Sequence, residues 1–254
     1  PGTGAALSQS PLGALGLVGL LWCLLWLIFG REGPLLDETS EGGTALLRQP
    51  YSRLLFCRTY IGCCLALFGA YWALSLGLTW FTPFIVKGLG ISQSSAGWIA
   101  TLPWLMGAVV VIATGWVSER LLVAGVSTRL ARGVLGAAPM VVGALLLFLL
   151  PWVEDNVWRI AILVVGSGLC GSIYVVCPPM LGEFTPVSQR GAVIAIYGAL
   201  YTLAGILAPS VMGGVIQRSG GMLEGYMTGF TINAVVMVTA GVLVRGHLSN
   251  RGIR

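Results

Sequence analysis

Charge is scarce in this chain: only 9% of its 254 residues are Asp, Glu, Lys or Arg, with one lysine and one histidine. Soluble domains of this size carry roughly a quarter of their residues as charges, so an ordinary globular protein in water is excluded. None of the nine carboxylates falls inside a long apolar run, which leaves no membrane-buried acid for a proton relay. The six cysteines (Cys23, Cys57, Cys63, Cys64, Cys170, Cys177) lie in or beside apolar runs. They lack both metal-ligand spacing and a surrounding loop framework, and read as small packing residues. There is no Ser-His-Asp set and no phosphate loop, and His247 lies in the tail, so neither an enzyme nor a metal or organic cofactor is expected. Low-complexity tracts and a 20-to-50-residue repeat are also missing, which excludes a solenoid.

What is present is apolar. Hydrophobic residues make up 56% of the chain, with 37 glycines, and the mean hydropathy is +0.90. This is too much apolar surface to hide in one soluble core, and the glycine excess suits closely packed membrane helices. Seven charge-free stretches follow one another: Leu12 to Gly30, Thr59 to Val86, Ala96 to Ser118, Gly133 to Val153, Ile160 to Gly182, Gly191 to Gln217 and Gly225 to Val244. Each is long enough to cross about 30 Å of hydrocarbon at about 1.5 Å per residue. The expected fold is all-α, a polytopic membrane protein with seven transmembrane helices. Internal prolines act as kinks whose freed carbonyls neighbouring helices satisfy, and Pro178-Pro179 is the strongest bend expected. Pro1 to Pro11 has neither an initiator Met nor the basic start of a signal peptide, and is expected to mark a cut in a longer protein.

Orientation follows from the arginines. Gly115 to Arg132 is a charged bend between two apolar runs and must lie in water or at a protein-covered surface. Counted by alternate sides, Lys and Arg divide eleven to three, a positive-inside pattern that puts the bend, the loop after the first helix and the C-terminus in the cytoplasm. The same pattern accounts for the sequence pI of 9.1 without a nucleic-acid partner.

The runs differ in polarity. Leu12 to Gly30 and Val134 to Leu150 carry almost nothing polar and are expected at the periphery. Tyr71, Ser75 and Thr82 share a helical face, as do Ser167, Gly171, Tyr174 and Pro178, and Tyr197, Tyr201, Gly205 and Pro209. Three polar-aromatic stripes converging on one cavity are the functional expectation; the plainer alternative is hydrogen bonding between helices. Gly191, Gly198 and Gly205 recur every seven residues and predict a smooth packing strip.

GWVSER with its trailing Arg129 and Arg132 resembles the cytoplasmic signature loop of the major facilitator superfamily, in its second-half copy. GEFTPVSQRG, Gly182 to Gly191, is similar to the acidic, Pro and Arg-Gly junction between helices ten and eleven of those transporters, and Tyr71 through Ser92 with SSAGWIATLP resembles helices seven and eight of the anion:cation symporter branch. The resemblance implies helices six to twelve of a twelve-helix transporter. Residues 1–30 would be the last helix of the N-terminal half, 31–58 the cytoplasmic loop between halves, 59–246 the six-helix C-terminal domain and 247–254 a cytoplasmic tail. It further implies two halves rocking around a midplane site in a bacterial inner membrane, with the missing N-terminal half as partner.

Under that reading the protein moves a small organic anion or carboxylate metabolite with a coupling proton across the bilayer. Tyr71, Ser75, Trp104, Ser167, Tyr174, Tyr197 and Tyr201 would line the cavity. Gly115, Glu119, Arg120, Arg129, Glu183 and Arg190 would form a conformational latch, with Glu119 pairing Arg120 or Arg190 or facing the positive N-terminus of a helix in the other half. The sixth of the seven runs holds Tyr197 and Tyr201 and no Asn at mid-depth, where members of the branch often carry one, which departs from the amide recognition that the resemblance implies. Two other classes fit the helix count: a seven-helix receptor or sensor, which would want an anchor such as a buried lysine, and a membrane scaffold that no longer transports.

Overall fold

The computed structural model describes residues 3–30 and 48–249; of the side chains within 3–12 and 244–249 and of Arg129 nothing is stated. The chain divides into two compact units, Pro1–Ala45 and Leu46–Arg254. Among its described residues the first contains one helix, α1 (Thr3–Phe29).

The second unit holds nine α-helices among its described residues: α2 (Tyr51–Leu55), α3 (Arg58–Pro83), α4 (Gln93–Ile99), α5 (Leu102–Val123), α6 (Leu135–Phe148), α7 (Asn156–Gly168), α8 (Gly171–Phe184), α9 (Val187–Arg218) and α10 (Met222–Ser249). With their short continuations they form six apolar spans of membrane-crossing length, Arg58–Gly88, Gln93–Val123, Leu130–Trp152, Asn156–Phe184, Val187–Arg218 and Met222–Leu243. These correspond to the last six predicted runs, and α1 carries the first as a shorter apolar helix, Gly13–Phe29. The protein is an all-α polytopic membrane protein, with no strand among the described residues.

Helix ends follow local chemistry. Ser92 caps α4 by accepting from the Ser95 amide at 3.3 Å, and Asp155 caps α7 by accepting from Val157 and Trp158 at 2.8 and 3.2 Å. α5 ends where Gly125 takes a φ of +81°; Val126 N–H donates to the Leu121 carbonyl and Gly125 N–H to that of Leu122, which satisfies the last carbonyls. The charged bend is thus a helix end, a glycine turn and a return at Arg129.

α3 is the centre of the unit, packed on α9, α10 and α8, while α6 joins α10, α7 and α8, and α5 lies against α7 and α8. Small residues make the central crossing possible: Ala66, Ala70 and Ala73 are buried along α3, and a Cβ on Gly69 would sit 2.7 Å from Met140 Cε and 2.8 Å from Ala240 Cβ. The expectation for Val134 to Leu150 needs refining. That segment buries Gly136, Ala137, Met140, Gly143, Ala144 and Leu147 and exposes one stripe, Val134, Ala138, Val142, Leu145 and Leu149. Lack of polar side chains marks the lipid stripe but does not reduce packing on the other face.

The glycine strip on α9 is interrupted as well. A Cβ on Gly205 would meet the Tyr71 ring at 2.9 Å, whereas Gly191 and Gly198 face open space. Polar groups that meet no other helix are satisfied within their own: Thr202, Ser210 and Thr239 donate to carbonyls four residues back at 2.8 to 2.9 Å, as apolar surroundings demand.

The two ends of the bundle differ. At one end Gln49 bonds to Gln189, Arg190 to the Gly182 carbonyl and Arg132 to Glu183, all at the junction between α8 and α9. At the other, Asn156 Nδ2 reaches the Leu89 carbonyl at 3.4 Å, and Arg159 Nε donates to the Val153 carbonyl at 2.7 Å. The arginine-rich segments therefore share one end.

Candidate functional site

A cavity of about 220 Å³ opens between α3, the α4–α5 span and the α7–α8 span. Both of those spans are interrupted beside it, at residues 100–101 and 169–170, and Ala100 and Cys170 line the wall. Pro103 supplies the first break. It stands in the first turn of α5, where a missing amide costs least, and Thr101 turns both its N–H and its hydroxyl back to the Trp98 carbonyl at 3.1 and 2.7 Å. Gly166, Gly168 and Gly171 surround the second. A Cβ on Gly171 would stand 3.2 Å from the Gly107 carbonyl, so α5 and α8 approach almost backbone to backbone. The interruption falls at 169–170, and α8 runs on through Pro178 and Pro179, where the bend was expected. All four residues, Ala100, Thr101, Leu169 and Cys170, keep right-handed helical dihedrals, so each interruption is a tightened turn within a continuous span.

Three of the seven expected lining residues, Trp104, Ser167 and Tyr174, are on the cavity wall. Trp104 is 48% exposed, at the mouth. Tyr71, Tyr197 and Tyr201 form a ladder of rings beside it. Tyr71 and Tyr201 have centroids 5.2 Å apart, Tyr197 and Tyr201 5.3 Å, and Tyr60 extends the series at 6.3 Å from Tyr197. These separations suit edge-to-face aromatic pairs. The Tyr71–Tyr201 pair thus joins the α3 and α9 stripes, while Tyr174 carries the α8 stripe on the cavity wall. Ser75 points elsewhere: it is 5% exposed and donates to the Gly205 carbonyl at 3.2 Å, which ties α3 to α9. Trp80 Nε1 repeats that tie one turn away, to the Pro209 carbonyl at 3.3 Å.

The buried hydroxyls of Tyr174 and Tyr197 have no hydrogen-bond partner among the described residues. Such atoms are uncommon in folded proteins, and that of Tyr174, which is on the cavity wall, is free to donate to an incoming oxygen. Chemically the site offers binding and stacking surfaces. Among the described residues no group of His, Cys, Asp and Glu is arranged to hold a metal.

At the arginine-rich end the partners differ from those expected. Glu183 is paired with Arg132, on the segment that re-enters α6. Arg190 donates to the Gly182 carbonyl at 2.9 Å, closing the last turn of α8. Arg120 lies over the Trp116 ring at 4.3 Å, a cation–π contact, and Glu119 is exposed with no ion pair among the described side chains. Neither expected pairing of Glu119 therefore forms with a described residue, because both arginines are engaged by nearer groups. A Cβ on Gly115 would meet only Val175 Cγ1, at an ordinary 3.5 Å. The Arg129 side chain lies outside the described residues.

Gln189 was missed by sequence reasoning altogether. It is 3% exposed, and its amide donates to the Gln49 carbonyl at 2.8 Å and accepts from the Gln49 N–H at 2.9 Å. The segment entering α3 is thereby fixed to the start of α9. No sequence signal could have found a partner 140 residues away.

No protein-family model matches the chain. Among curated proteins it is 25% identical over 232 residues to a D-galactonate transporter of Escherichia coli O6:H1, covering 81% of this chain and 52% of that one. A hexuronate transporter of Bacillus subtilis is 26% identical, with 80% and 50% covered. A probable galactarate/D-glucarate transporter of the same organism is 24% identical, with 92% and 55% covered. The chain spans about half the length of these curated relatives.

Proposed function

From the kinship of this chain with sugar-acid transporters of the major facilitator superfamily, of the anion:cation symporter type, we propose that it is the C-terminal half of a secondary transporter for small organic acid anions, driven by proton symport and working by alternating access. Residues 1–30 are then the last helix of the N-terminal half, 31–58 the loop between halves, 59–246 the C-terminal domain and 247–254 a tail. The observation that carries the reading is the convergence of three polar-aromatic stripes beside a cavity bordered by two interrupted spans.

The substrate meets Trp104, Ser167 and Tyr174 directly, while Tyr71, Tyr197, Tyr201 and Ser75 hold the wall behind them. The arginine-rich end faces the cytoplasm of a bacterial cell, with the C-terminus, in accord with the distribution of basic residues. There Arg132–Glu183, Arg190, Gly115, Glu119, Arg120 and Arg129 make up the latch that opens when the cytoplasmic side does. The coupling proton is carried by a group outside the apolar runs of this chain, since every acidic residue of the chain lies outside them.

Full-length protein in proteoliposomes tests this. Uptake of an organic acid anion is expected when the outside is acidic, with loss on adding a protonophore. Exchange that ignores the proton gradient would remove the coupling, and absence of any uptake or counterflow would remove transport itself.

A further inference from the structure

Resting on that transport reading, we infer that the wall supplied by this chain receives the apolar, flat body of its substrate, so that aryl carboxylates are preferred over polyhydroxylated sugar acids. Among the cavity's side chains only those of Trp104, Ser167, Tyr174 and Cys170 carry hydrogen-bonding atoms. Cys170 is already engaged, its thiol 3.8 Å from the Gly166 carbonyl and 3.7 Å from Met237 Sδ. Three groups remain, spread over two spans. The whole contribution of α3, including Ala73, Leu74, Gly77 and Phe81, is apolar. A sugar acid brings several hydroxyls, and each one drawn from water without a partner weakens binding by about tenfold.

Shape points the same way. Gly77 and Gly107 both line the cavity, and a Cβ on either would meet nothing within 4 Å, so the two glycines leave a slot bounded by Trp104 and Phe81. Apolar cavities of about 150 Å³ already hold one benzene ring. The 220 Å³ here accommodates a single substituted ring, stacked on Trp104, with a ring hydroxyl at Tyr174. Among the described residues no charged side chain lines the wall, so the carboxylate is directed away from it.

The test uses full-length protein and two sets of labelled anions, phenylacetate and 4-hydroxybenzoate against D-galactonate and D-glucuronate, in counterflow and in fluorescence titration. The aryl acids are expected to bind at least tenfold more tightly. Gly77→Val, whose Cβ meets nothing within 4 Å, narrows the slot and should weaken them tenfold or more, with the melting temperature unchanged. Leu74→Asn, which places an amide on the wall, should narrow the gap between the sets. Sugar acids binding as tightly as aryl acids, with Gly77→Val affecting neither, would overturn the assignment and leave the transporter reading standing. Failure of both sets to bind or exchange would remove the transporter reading and this inference together.

Discussion

Gln189 shows what one buried side chain can do for a chain entering a membrane bundle. Its amide satisfies the Gln49 N–H and C=O at once, and the geometry demands both a donor and an acceptor. Gln189→Leu leaves those groups without their partner and should cost about 1–3 kcal/mol, read as a lower melting temperature and faster proteolysis within residues 48–57. Arg132 and Glu183 present the opposite case. Their side chains are 19% and 48% exposed, and pairs at such positions contribute roughly 0–1 kcal/mol. Arg132→Gln is therefore expected to leave melting almost unchanged while raising cysteine labelling of cytoplasmic positions in the full-length protein; equal labelling would reduce the pair to a surface contact. Neither partner choice was legible beforehand. Glu119 and Glu183 both stood near arginines in the sequence, and only the fold decided that Arg132 reaches Glu183 while Arg120 lies on Trp116.

At the scale of elements, the apolar runs were legible because a bilayer imposes a minimum length on any helix that crosses it. The interruptions inside them were less so. Pro178 and Pro179 lie inside α8, which continues through them, and the tightened turn between α7 and α8 falls among glycines at 169–170. The first break is tied to Pro103, which predicts its own test. Pro103→Ala restores an amide able to continue α4 into α5, so hydrogen exchange around residues 99–103 should slow and transport should fall if the break shapes the cavity. The stripes on α3, α8 and α9 were visible as spacings, and the structure brings their tyrosines together. Ser75 shared the spacing of Tyr71, but its hydroxyl goes to the Gly205 carbonyl. Periodicity names a face and leaves open what that face meets.

For the molecule as a whole, the arginine count predicts sidedness, and the structure gathers Gln49, Arg132, Glu183 and Arg190 at one end. A reporter fused at the C-terminus should be active only on the cytoplasmic side, and one inserted at 154–155 only outside; the reverse pattern would invert the proposed direction of the whole cycle. The described six-span unit is organised around α3, and its cavity wall is poor in polar groups although the curated relatives it matches are named for sugar acids. Sequence kinship and wall chemistry thus bear on different questions, the first on transport and the second on what the wall prefers.

The sequence by itself determined the all-α membrane class, the number and approximate limits of the apolar helices and the gathering of basic residues at alternate ends. Each of these follows from composition and run length, which the low dielectric of a bilayer converts directly into structure. Only the tertiary structure decided which tyrosines line a cavity and which support them, which arginine holds Glu183, and that Gln189 clasps the chain at Gln49. Those outcomes depend on contacts between residues tens to more than a hundred positions apart, and helix packing, which selects them, leaves no periodic trace in the sequence.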